Sequence, residues 1–311
     1  MRTLRFHDYG EPADVLRLET AEVPEPQAGH IRVQVQACGL NPADWALCRG
    51  LFRGDLPRGV GLDVAGIVDA LGEGVTDIGA GDRALGSASF ATYPSAGASD
   101  FAILERWGRP PDGLDPVKAA ALPMAVETAS LHLDALDPKP GQTILIHAAG
   151  TMMGFAAVQM ALMRGCKVIA TAGDTFAGQL RALGAAVTPY GDGMVGRVRE
   201  LAGGAPDLIL DTASPNGVLP DLIAIAGGDP RRVLTITDFA AAAALGARHS
   251  FGEPMTRREG VLAEFAELAV EGRFTVPIAR ALPLADWREA LAASLSGHAH
   301  GKLVLLLGDA G

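Results

Sequence analysis

A short segment, His147-Ala148-Ala149-Gly150-Thr151-Met152-Met153-Gly154, has the composition of a turn that holds a dinucleotide. An apolar strand-like run, residues 142–146, precedes it, and an apolar helix-like run, residues 155–164, follows it. Where a strand turns into a helix in this way, backbone N–H groups and the amino end of the helix offer positive potential to a pyrophosphate. Small residues also serve plain strand–helix packing, so a turn that only packs is the alternative.

Other residue types that do chemistry are scattered. The three cysteines, an odd number without a C-x-x-C motif, are Cys38, Cys48 and Cys166. This count excludes a disulfide scaffold and a four-cysteine zinc lobe, and it favours a reducing cytosol. His298 and His300 lie two residues apart without a recognisable third donor, which favours a solvated turn over a metal site. His132 on a predicted helix and Cys38 in an apolar run are interpreted as structural, so no nucleophile–base pair is supported.

The first third of the chain predicts β structure. Residues 31–37 alternate apolar and polar side chains, as a half-buried strand does, and residues 64–68 form a second strand-like run. Glycine clusters at 72–74 and 79–81 separate the runs. Many short strands with glycine turns predict a small, irregular β barrel.

From about residue 117 the pattern changes to alternating strands and helices. Strands are predicted at 142–146, 167–170, 207–210 and 233–236, with helical stretches between them. This alternation predicts a doubly wound parallel sheet with helices on both faces. Later strand-like runs, 276–278 and 303–307, predict that the chain returns to the first domain. The boundaries expected are 1–122 with 266–311 for the barrel domain and 123–265 for the parallel-sheet domain.

Length and charge exclude several classes of protein. The 311 residues predict two domains, and the net charge of −10 disfavours binding to nucleic acid or to an anionic membrane surface. There is no apolar run of the ~18 residues that span a bilayer. The first residues have no apolar signal core, so the expected location is the cytoplasm.

Five segments, in the same order, resemble signatures of the zinc-independent quinone oxidoreductases of the medium-chain dehydrogenase/reductase superfamily. The matching segments are Asn41-Pro42-Ala43-Asp44 within residues 33–44, Gly61-Leu62-Asp63 at the start of residues 61–68, residues 79–84, residues 120–123 with Thr128-Ala129, and Gly301-Lys302 within residues 298–304. The similarity covers nearly the whole length.

The resemblance implies an α/β fold with a GroES-like β-barrel domain built from both termini and a Rossmann domain between them. It implies an NADPH-dependent reductase of quinones or α,β-unsaturated carbonyls, usually a homodimer. A secondary-metabolite enoyl reductase would use the same chemistry on another substrate. The alternative is a non-catalytic NADP(H)-binding protein that senses redox state.

The metal ligands of the zinc-dependent relatives are missing at the matching positions. Those relatives bind zinc through Cys and His with a Glu nearby, and the matching positions here are Asn41, Leu62 and Asp63. The position of their third ligand, a cysteine, falls near Met124. Because zinc needs three or four converging N, S or O donors, no metal is expected.

The resemblance suggests Asn41, Asp44 and Trp45 as catalytic residues. The neutral amide of Asn41 can donate a hydrogen bond to an oxygen that gains negative charge during hydride transfer, or it can cap the turn before Pro42. Asp44 matches a residue that fixes the active-site loop, and a helix-capping role explains it equally well. Trp45 either walls the cleft or packs in the core.

The remaining candidates are expected to bind NADPH, mostly because they follow the carboxyl ends of parallel strands. They are Thr128, Ala149, Gly150, Thr151, Met152, Met153, Gly154, Thr171, Tyr190, Asp211, Thr212, Ala213, Thr235, Thr237, Gly301 and Lys302. For Lys302 the alternative is a solvated strand end.

Two details concern the cofactor itself. Ala172 stands where NAD enzymes place an acid on the adenosine ribose, which favours NADPH, although Asp174 is near. Relatives have glycines at Thr151 and Met152, so we expect Gly150 to take the positive-φ position and Met152 to enter a hydrophobic layer.

Overall fold

The computed structural model describes residues 1–308. Two compact units are formed, one from Met1–Met124 together with the described residues from Gly260 onward, the other from Ala125–Glu259. They are called the split unit and the central unit below. Residues 309–311 of the predicted segment 266–311 lie outside the described residues.

The strands are β1 (Arg2–Phe6), β2 (Leu16–Thr20), β3 (Ile31–Leu40), β4 (Arg58–Gly59), β5 (Asp63–Leu71), β6 (Arg83–Ala88), β7 (Phe101–Gly108), β8 (Thr143–His147), β9 (Lys167–Thr171), β10 (Ala186–Thr188), β11 (Leu208–Asp211), β12 (Val233–Thr235), β13 (Arg248–His249), β14 (Ile278–Pro283) and β15 (Lys302–Leu306). The helices are α1 (Pro12–Val15), α2 (Pro42–Cys48), α3 (Pro116–Ala119), α4 (Pro123–Leu136), α5 (Met152–Met163), α6 (Asp174–Leu183), α7 (Met194–Ala202), α8 (Leu219–Ile225), α9 (Phe239–Leu245), α10 (Val261–Val270) and α11 (Trp287–Leu295).

The split unit is built around a six-stranded sheet in the order β14-β15-β3-β5-β6-β7, with β3 also pairing with β7. A smaller sheet, β2-β1-β4, accompanies it. Strand β3 is central because its first half alternates buried and exposed residues, whereas its last four residues, Cys38 to Leu40 among them, are all buried. Its buried end pairs with β5 on one side and with β15 on the other, so β15 brings residues from the far end of the chain to this point.

The central unit contains one six-stranded parallel sheet in the order β10-β9-β8-β11-β12-β13. In chain order this is the 3-2-1-4-5-6 arrangement of a Rossmann domain, whose strand order reverses between β8 and β11. The expected fold class is therefore confirmed: an α/β chain with a Rossmann sheet and a GroES-like domain. Among residues 1–308, no helix combines the length and apolarity needed to cross a bilayer.

Candidate active and cofactor sites

Asn41 lies at the junction of β3 and α2, where the backbone leaves the strand in an extended conformation (φ −133°, ψ 153°). It occupies the position before the first helical residue, yet its side chain makes no hydrogen bond to the helix. The main-chain carbonyl of Asn41 instead accepts from the Asp44 N–H at 3.0 Å. The position thus caps the turn through its backbone, and the amide side chain is available for other contacts.

That amide belongs to a buried cluster of three side chains from three strands or their ends, called the ammonium cluster below. Lys302 Nζ donates to Asn41 Oδ1 at 2.5 Å and to Asp63 Oδ2 at 2.6 Å, and Asn41 Nδ2 donates to Asp63 Oδ2 at 3.0 Å. The Met124 N–H donates to the other oxygen of Asp63 at 2.8 Å. The side chains of Lys302 and Asp63 are 2% and 0% exposed, so the pair is an ion pair shielded from water. The solvated alternative for Lys302 is therefore wrong.

Gly39 provides the room for this cluster. It pairs with Asp63 on β5 and with Val304 on β15, so it separates the strands that carry the two charges. A Cβ at this position would lie 2.8 Å from Lys302 Cε, 3.1 Å from Asp63 Cβ and 2.2 Å from the Ala120 carbonyl oxygen. Only a residue without a side chain lets the lysine reach across β3.

Asp44 ties the start of α2 to the loop before β5. One carboxylate oxygen accepts the Asn41 N–H and the other accepts the Gly61 N–H, each at 2.7 Å. Burial raises the pKa of Asp44 to about 7, against the effect of these two N–H donors. The two interpretations of Asp44, a residue that fixes a loop and a residue that caps a helix, therefore describe the same carboxylate. It binds the loop at Gly61 and the start of α2 at Asn41.

Trp45 packs in the core of the split unit and does not form an exposed wall. It is 3% exposed, and its indole N–H donates to Ser294 Oγ at 2.7 Å. Of the two alternatives for Trp45, the structure shows the residue packed in the core.

The positions matched to zinc ligands are occupied by Asn41, which faces an ammonium, buried Leu62 and half-buried Met124. Across residues 1–308, no three His, Cys, Asp or Glu side chains are grouped as a metal would require.

In the central unit, the turn between β8 and α5 is held by the hydroxyl groups of Thr151, within the turn, and Thr212, which follows β11. Thr151 caps α5, since its Oγ1 accepts the Gly154 N–H at 3.0 Å, and Thr151 Oγ1 also lies 3.0 Å from Thr212 Oγ1. A Cβ on Gly154 would lie 2.7 Å from both the Ala148 oxygen and Thr212 Oγ1, and 2.8 Å from Ala149 Cα. The glycine is required by the turn itself.

The expected positive-φ position is wrong by two residues. Ala148 has φ +57°, whereas Gly150 does not lie in the left-handed region. The αL conformation is uncommon for a residue with a Cβ, and main-chain contacts hold this one: the Ala148 N–H donates to Thr171 Oγ1 at 3.0 Å, and Thr212 Oγ1 donates to the Ala148 carbonyl. Met152 is the first helical residue and half-buried, so it is only partly in a hydrophobic layer.

The carboxyl ends of the next strands carry a second set of polar contacts. Thr171 Oγ1 lies 2.8 Å from His147 Nδ1, and burial lowers the pKa of His147 to about 4, so this imidazole is neutral. Asp211 accepts the Ala213 N–H at 3.0 Å and the Thr235 hydroxyl at 2.9 Å. Burial raises the pKa of Asp211 to about 6. Candidates on neighbouring strands are thus joined into one network, which Thr237 extends by donating to the Ala213 carbonyl.

The residues predicted to border an adenosine ribose lie at the end of β9. Buried Ala172 is followed by exposed Gly173, whose Cβ position would lie 3.6 Å from the Tyr190 hydroxyl. Asp174 and Arg181 are exposed on α6. The resemblance implies that Phe176 or Ala177 stands where relatives have a phosphate-binding lysine; both are buried, and Phe176 packs against Phe155.

Two further candidates have structural contacts. The Thr128 carbonyl accepts from His132 Nδ1 at 2.7 Å, while His132 Nε2 lies 2.6 Å from Ser250 Oγ, so His132 joins α4 to the segment after β13. Gly301 has φ +141°, and a Cβ there would lie 2.8 Å from the Ala279 nitrogen. The assignment of Thr128 and Gly301 to the cofactor site remains a prediction. The same holds for the other residues expected to bind NADPH.

Asp63 is the member of the ammonium cluster whose contacts sequence reasoning missed. The resemblance places it in a signature and at a position near the zinc of relatives but predicts no contact for it, whereas the structure pairs it with Lys302. The signal was present: a carboxylate inside the otherwise apolar run Leu62-Asp63-Val64-Ala65, and a lysine beginning the apolar run Lys302-Leu303-Val304. A charge in a strand that is buried on both sides needs an opposite charge nearby.

Two family models match parts of the chain. The Alcohol dehydrogenase GroES-like domain model matches residues 27–109, and the Zinc-binding dehydrogenase model matches residues 183–305. The chain is 35% identical to the quinone oxidoreductase of Rattus norvegicus over 180 residues, 56% of this chain and 53% of the relative. It is 41% identical to erythronolide synthase EryA2 of Saccharopolyspora erythraea over 166 residues, 52% of this chain and 4% of that synthase. The chain thus spans about half the length of the first relative and a small part of the second.

Solved structures share the fold over nearly the whole chain. The quinone oxidoreductase from Coxiella burnetii superposes with a TM-score of 0.84 and 25% identity, covering 99% of both chains. A mycobacterial protein solved in complex with NADPH superposes with a TM-score of 0.77 and 23% identity, covering 98% of this chain and 99% of that one.

Proposed function

Because this chain belongs to the medium-chain dehydrogenase/reductase superfamily and is quinone oxidoreductase-like, we propose that it is a zinc-independent, NADPH-dependent reductase of quinones or α,β-unsaturated carbonyls. The observation that carries the proposal is the ammonium cluster. Asn41 stands where zinc-dependent relatives have a ligand, and it is bonded to Lys302 and Asp63 within the protein. A neutral amide donor in a buried setting suits an oxygen whose negative charge grows during reduction.

The central unit fits a dinucleotide. The amino end of the twelve-residue helix α5 follows β8, beside the point where the strand order reverses. A Cβ at Gly150 would be in ordinary contact with Phe176 Cδ2, at 3.6 Å. Residues 149–154 would hold the pyrophosphate, and Gly173 with Tyr190 would border the adenosine ribose. The nicotinamide, when bound, supplies the hydride. NADPH is favoured because Ala172 offers no carboxylate, and a neighbour of the same fold was solved with NADPH.

The chain's own residues then have separate tasks. Asn41 Nδ2–H donates to the carbonyl oxygen of the substrate as negative charge develops on it. The Asp44 carboxylate keeps the Asn41 backbone in place by accepting the main-chain N–H of Asn41. Asp63 and Lys302 neutralise one another, so the cluster as a whole carries no net charge. The proton that completes the reduction comes from water in this proposal.

Within the class of α,β-unsaturated carbonyls, the substrate proposed is an enoyl thioester or a related conjugated carbonyl of secondary metabolism. The 41% identity with part of erythronolide synthase, and the 37% identity over 163 residues with a pikromycin polyketide synthase component of Streptomyces venezuelae, favour it. We further propose a cytoplasmic homodimer that binds neither nucleic acid nor membrane.

The test is the decrease of NADPH absorbance with a panel of quinones and conjugated enones, beside a fluorescence titration of NADPH. Turnover of at least one class, with no stoichiometric zinc by elemental analysis, is the expected result. Cofactor binding without any turnover would favour the non-catalytic NADP(H)-binding alternative. About one zinc per chain, removable only with loss of activity, would overturn the zinc-independent assignment.

A further inference from the structure

The ammonium cluster decides which end of the Asn41 amide faces which neighbour. The oxygen and nitrogen of an amide have nearly the same shape, so the packing alone leaves two orientations. An ammonium group only donates hydrogen bonds, and an ionised carboxylate only accepts them. Lys302 therefore requires Asn41 Oδ1, and Asp63 requires Asn41 Nδ2, as the contacts at 2.5 and 3.0 Å show.

We propose that Lys302 is a positioning residue, which fixes the Asn41 amide with an N–H donor turned to the substrate oxygen and strengthens that donor. The inference rests on the proposed function and assigns Lys302 a task apart from its predicted contact with cofactor. One hydrogen of Asn41 Nδ2 bonds to Asp63, and the second is the donor for substrate. If the amide were reversed, its oxygen would face both the Asp63 carboxylate and the substrate oxygen, which is repulsive in each case.

The strengthening follows from the chain of hydrogen bonds. A bond from the Lys302 ammonium to Asn41 Oδ1 draws electron density through the amide and makes its N–H groups better donors. Asp63 balances the charge, so the polarised donor is presented without a net positive charge. Such a site favours a neutral acceptor that becomes negative during the reaction, as the oxygen of a conjugated ketone, thioester or quinone does.

The sequence allows a direct measurement, because Asn41 and Asn216 are its only asparagines. Selective ¹⁵N-asparagine labelling gives two side-chain NH₂ pairs. Asn216 is exposed in a turn and serves as the internal reference. In the wild-type protein we expect the Asn41 pair to be shifted from the Asn216 pair, with its two hydrogens inequivalent and slow to exchange with water.

Lys302→Met keeps the length of the side chain and removes the ammonium. The Asn41 pair should then move towards the Asn216 pair and exchange faster, whereas Lys118→Met, an exposed lysine in the same unit, should leave it unchanged. If Lys302→Met leaves Asp63 unpaired and fails to fold, the charge-neutral pair Lys302→Met with Asp63→Asn replaces it. If neither folds, Lys302 acts through stability and the positioning role is overturned.

Kinetics provide the second measurement. Asn41→Ala should lower kcat by about 100–1000-fold, the effect of losing one donor to an oxyanion, and Lys302→Met by about tenfold or more. The double variant should be no slower than Asn41→Ala, because Lys302 acts through Asn41. The affinity for NADPH in fluorescence titration should stay unchanged in Lys302→Met.

The outcomes separate the two proposals. If wild-type protein reduces no quinone or enone, the proposed function fails, while the NMR experiment still tests the amide orientation. An unchanged Asn41 pair in folded Lys302→Met overturns the positioning role. So does loss of NADPH affinity with kcat unchanged, which would instead make Lys302 a cofactor contact.

Discussion

The split unit and the central unit each bury a polar network beside a predicted site, and they use different chemistry to do so. The ammonium cluster relies on full charges, Lys302 and Asp63, that are shielded from water. The turn before α5 relies on hydroxyl and main-chain groups, with Thr151 and Thr212 sharing most of its contacts. A hydroxyl can rotate to donate or accept, whereas an ammonium or a carboxylate has only one role. The first network therefore fixes a direction, and the second can adjust to a ligand.

The contrast also concerns energy. Removing one partner of a buried ion pair leaves an uncompensated charge and destabilises by about 3–5 kcal/mol, whereas a typical hydrogen bond contributes about 1 kcal/mol net. Variants in the split unit should therefore act mainly on stability and rate. Variants of the turn before α5 should act on cofactor binding, with a smaller loss of stability.

The largest effect is expected from Asp63→Leu. It leaves the Lys302 ammonium buried without its counter-charge, so the free energy of unfolding should fall by about 3–5 kcal/mol in urea denaturation. The control is Asp63→Leu with Lys302→Met, which removes both charges and should recover most of that loss. If single and double variants are equally unstable, the ion pair is not the source of the effect.

Gly154→Ala tests the turn of the central unit. Its Cβ would lie under 3 Å from the Ala148 oxygen and Ala149 Cα, so the turn must shift, at about 1–3 kcal/mol of stability. NADPH affinity should weaken more than about tenfold, or ~1.4 kcal/mol, in fluorescence titration. The control is Gly178→Ala, in the open interior of α6. Unchanged NADPH affinity in a folded Gly154→Ala would mean that the pyrophosphate lies elsewhere.

Asp211→Asn tests how the buried carboxyl group of Asp211, which contacts Ala213 and Thr235, makes stability depend on pH. Its folded-state pKa of about 6 lies above the ~3.9 of an unfolded aspartate, so its contribution to stability is complete below about pH 4 and is lost as pH rises through 6. Asparagine keeps both contacts, since its oxygen accepts the Ala213 N–H and its NH₂ donates to Thr235. At pH 8 the variant should be more stable than wild type by about 1–3 kcal/mol, with a flatter profile between pH 4 and 7. An identical pH profile would refute the assignment.

The smallest effect is expected from Gly173→Asp. Gly173 is the residue before α6 with ordinary φ and ψ (−76°, 174°), and aspartate is favoured there, so the fold should be retained. The new carboxylate should repel the 2′-phosphate and lower the NADPH-to-NADH ratio of kcat/KM by about tenfold. Gly173→Ser is the neutral control, and an equal loss in both variants would show that charge is not responsible.

Pattern and resemblance predicted the two-part fold because strand alternation and the spacing of strands and helices are local properties. The strand–turn–helix at residues 147–154 and the parallel sheet were both accessible in this way. The positive-φ residue was not: main-chain bonds to Thr171 and Thr212, from other strands, hold Ala148 in a conformation that local sequence assigns to glycine.

The contacts of Lys302 were inaccessible for a related reason. Its partners are 261 and 239 residues away, and only the register of β15 on β3 and of β3 on β5 brings them together. Trp45 illustrates the same limit, since its hydrogen bond to Ser294 depends on how α11 packs. Sequence identifies which residues can do chemistry, and strand register decides which of them meet.

The distance along the chain between Asn41 and Lys302 has a consequence for synthesis. At roughly 5–20 residues per second, the ribosome makes the lysine about 15–50 s after the asparagine, with the entire central unit in between. During that interval Asp63 has no ammonium to pair with, and burying it alone is unfavourable. We therefore expect the nascent amino-terminal segment to stay open while the central unit folds. The pairing of β15 with β3 should then complete the sheet and bring Lys302 to the Asn41 amide in a single step.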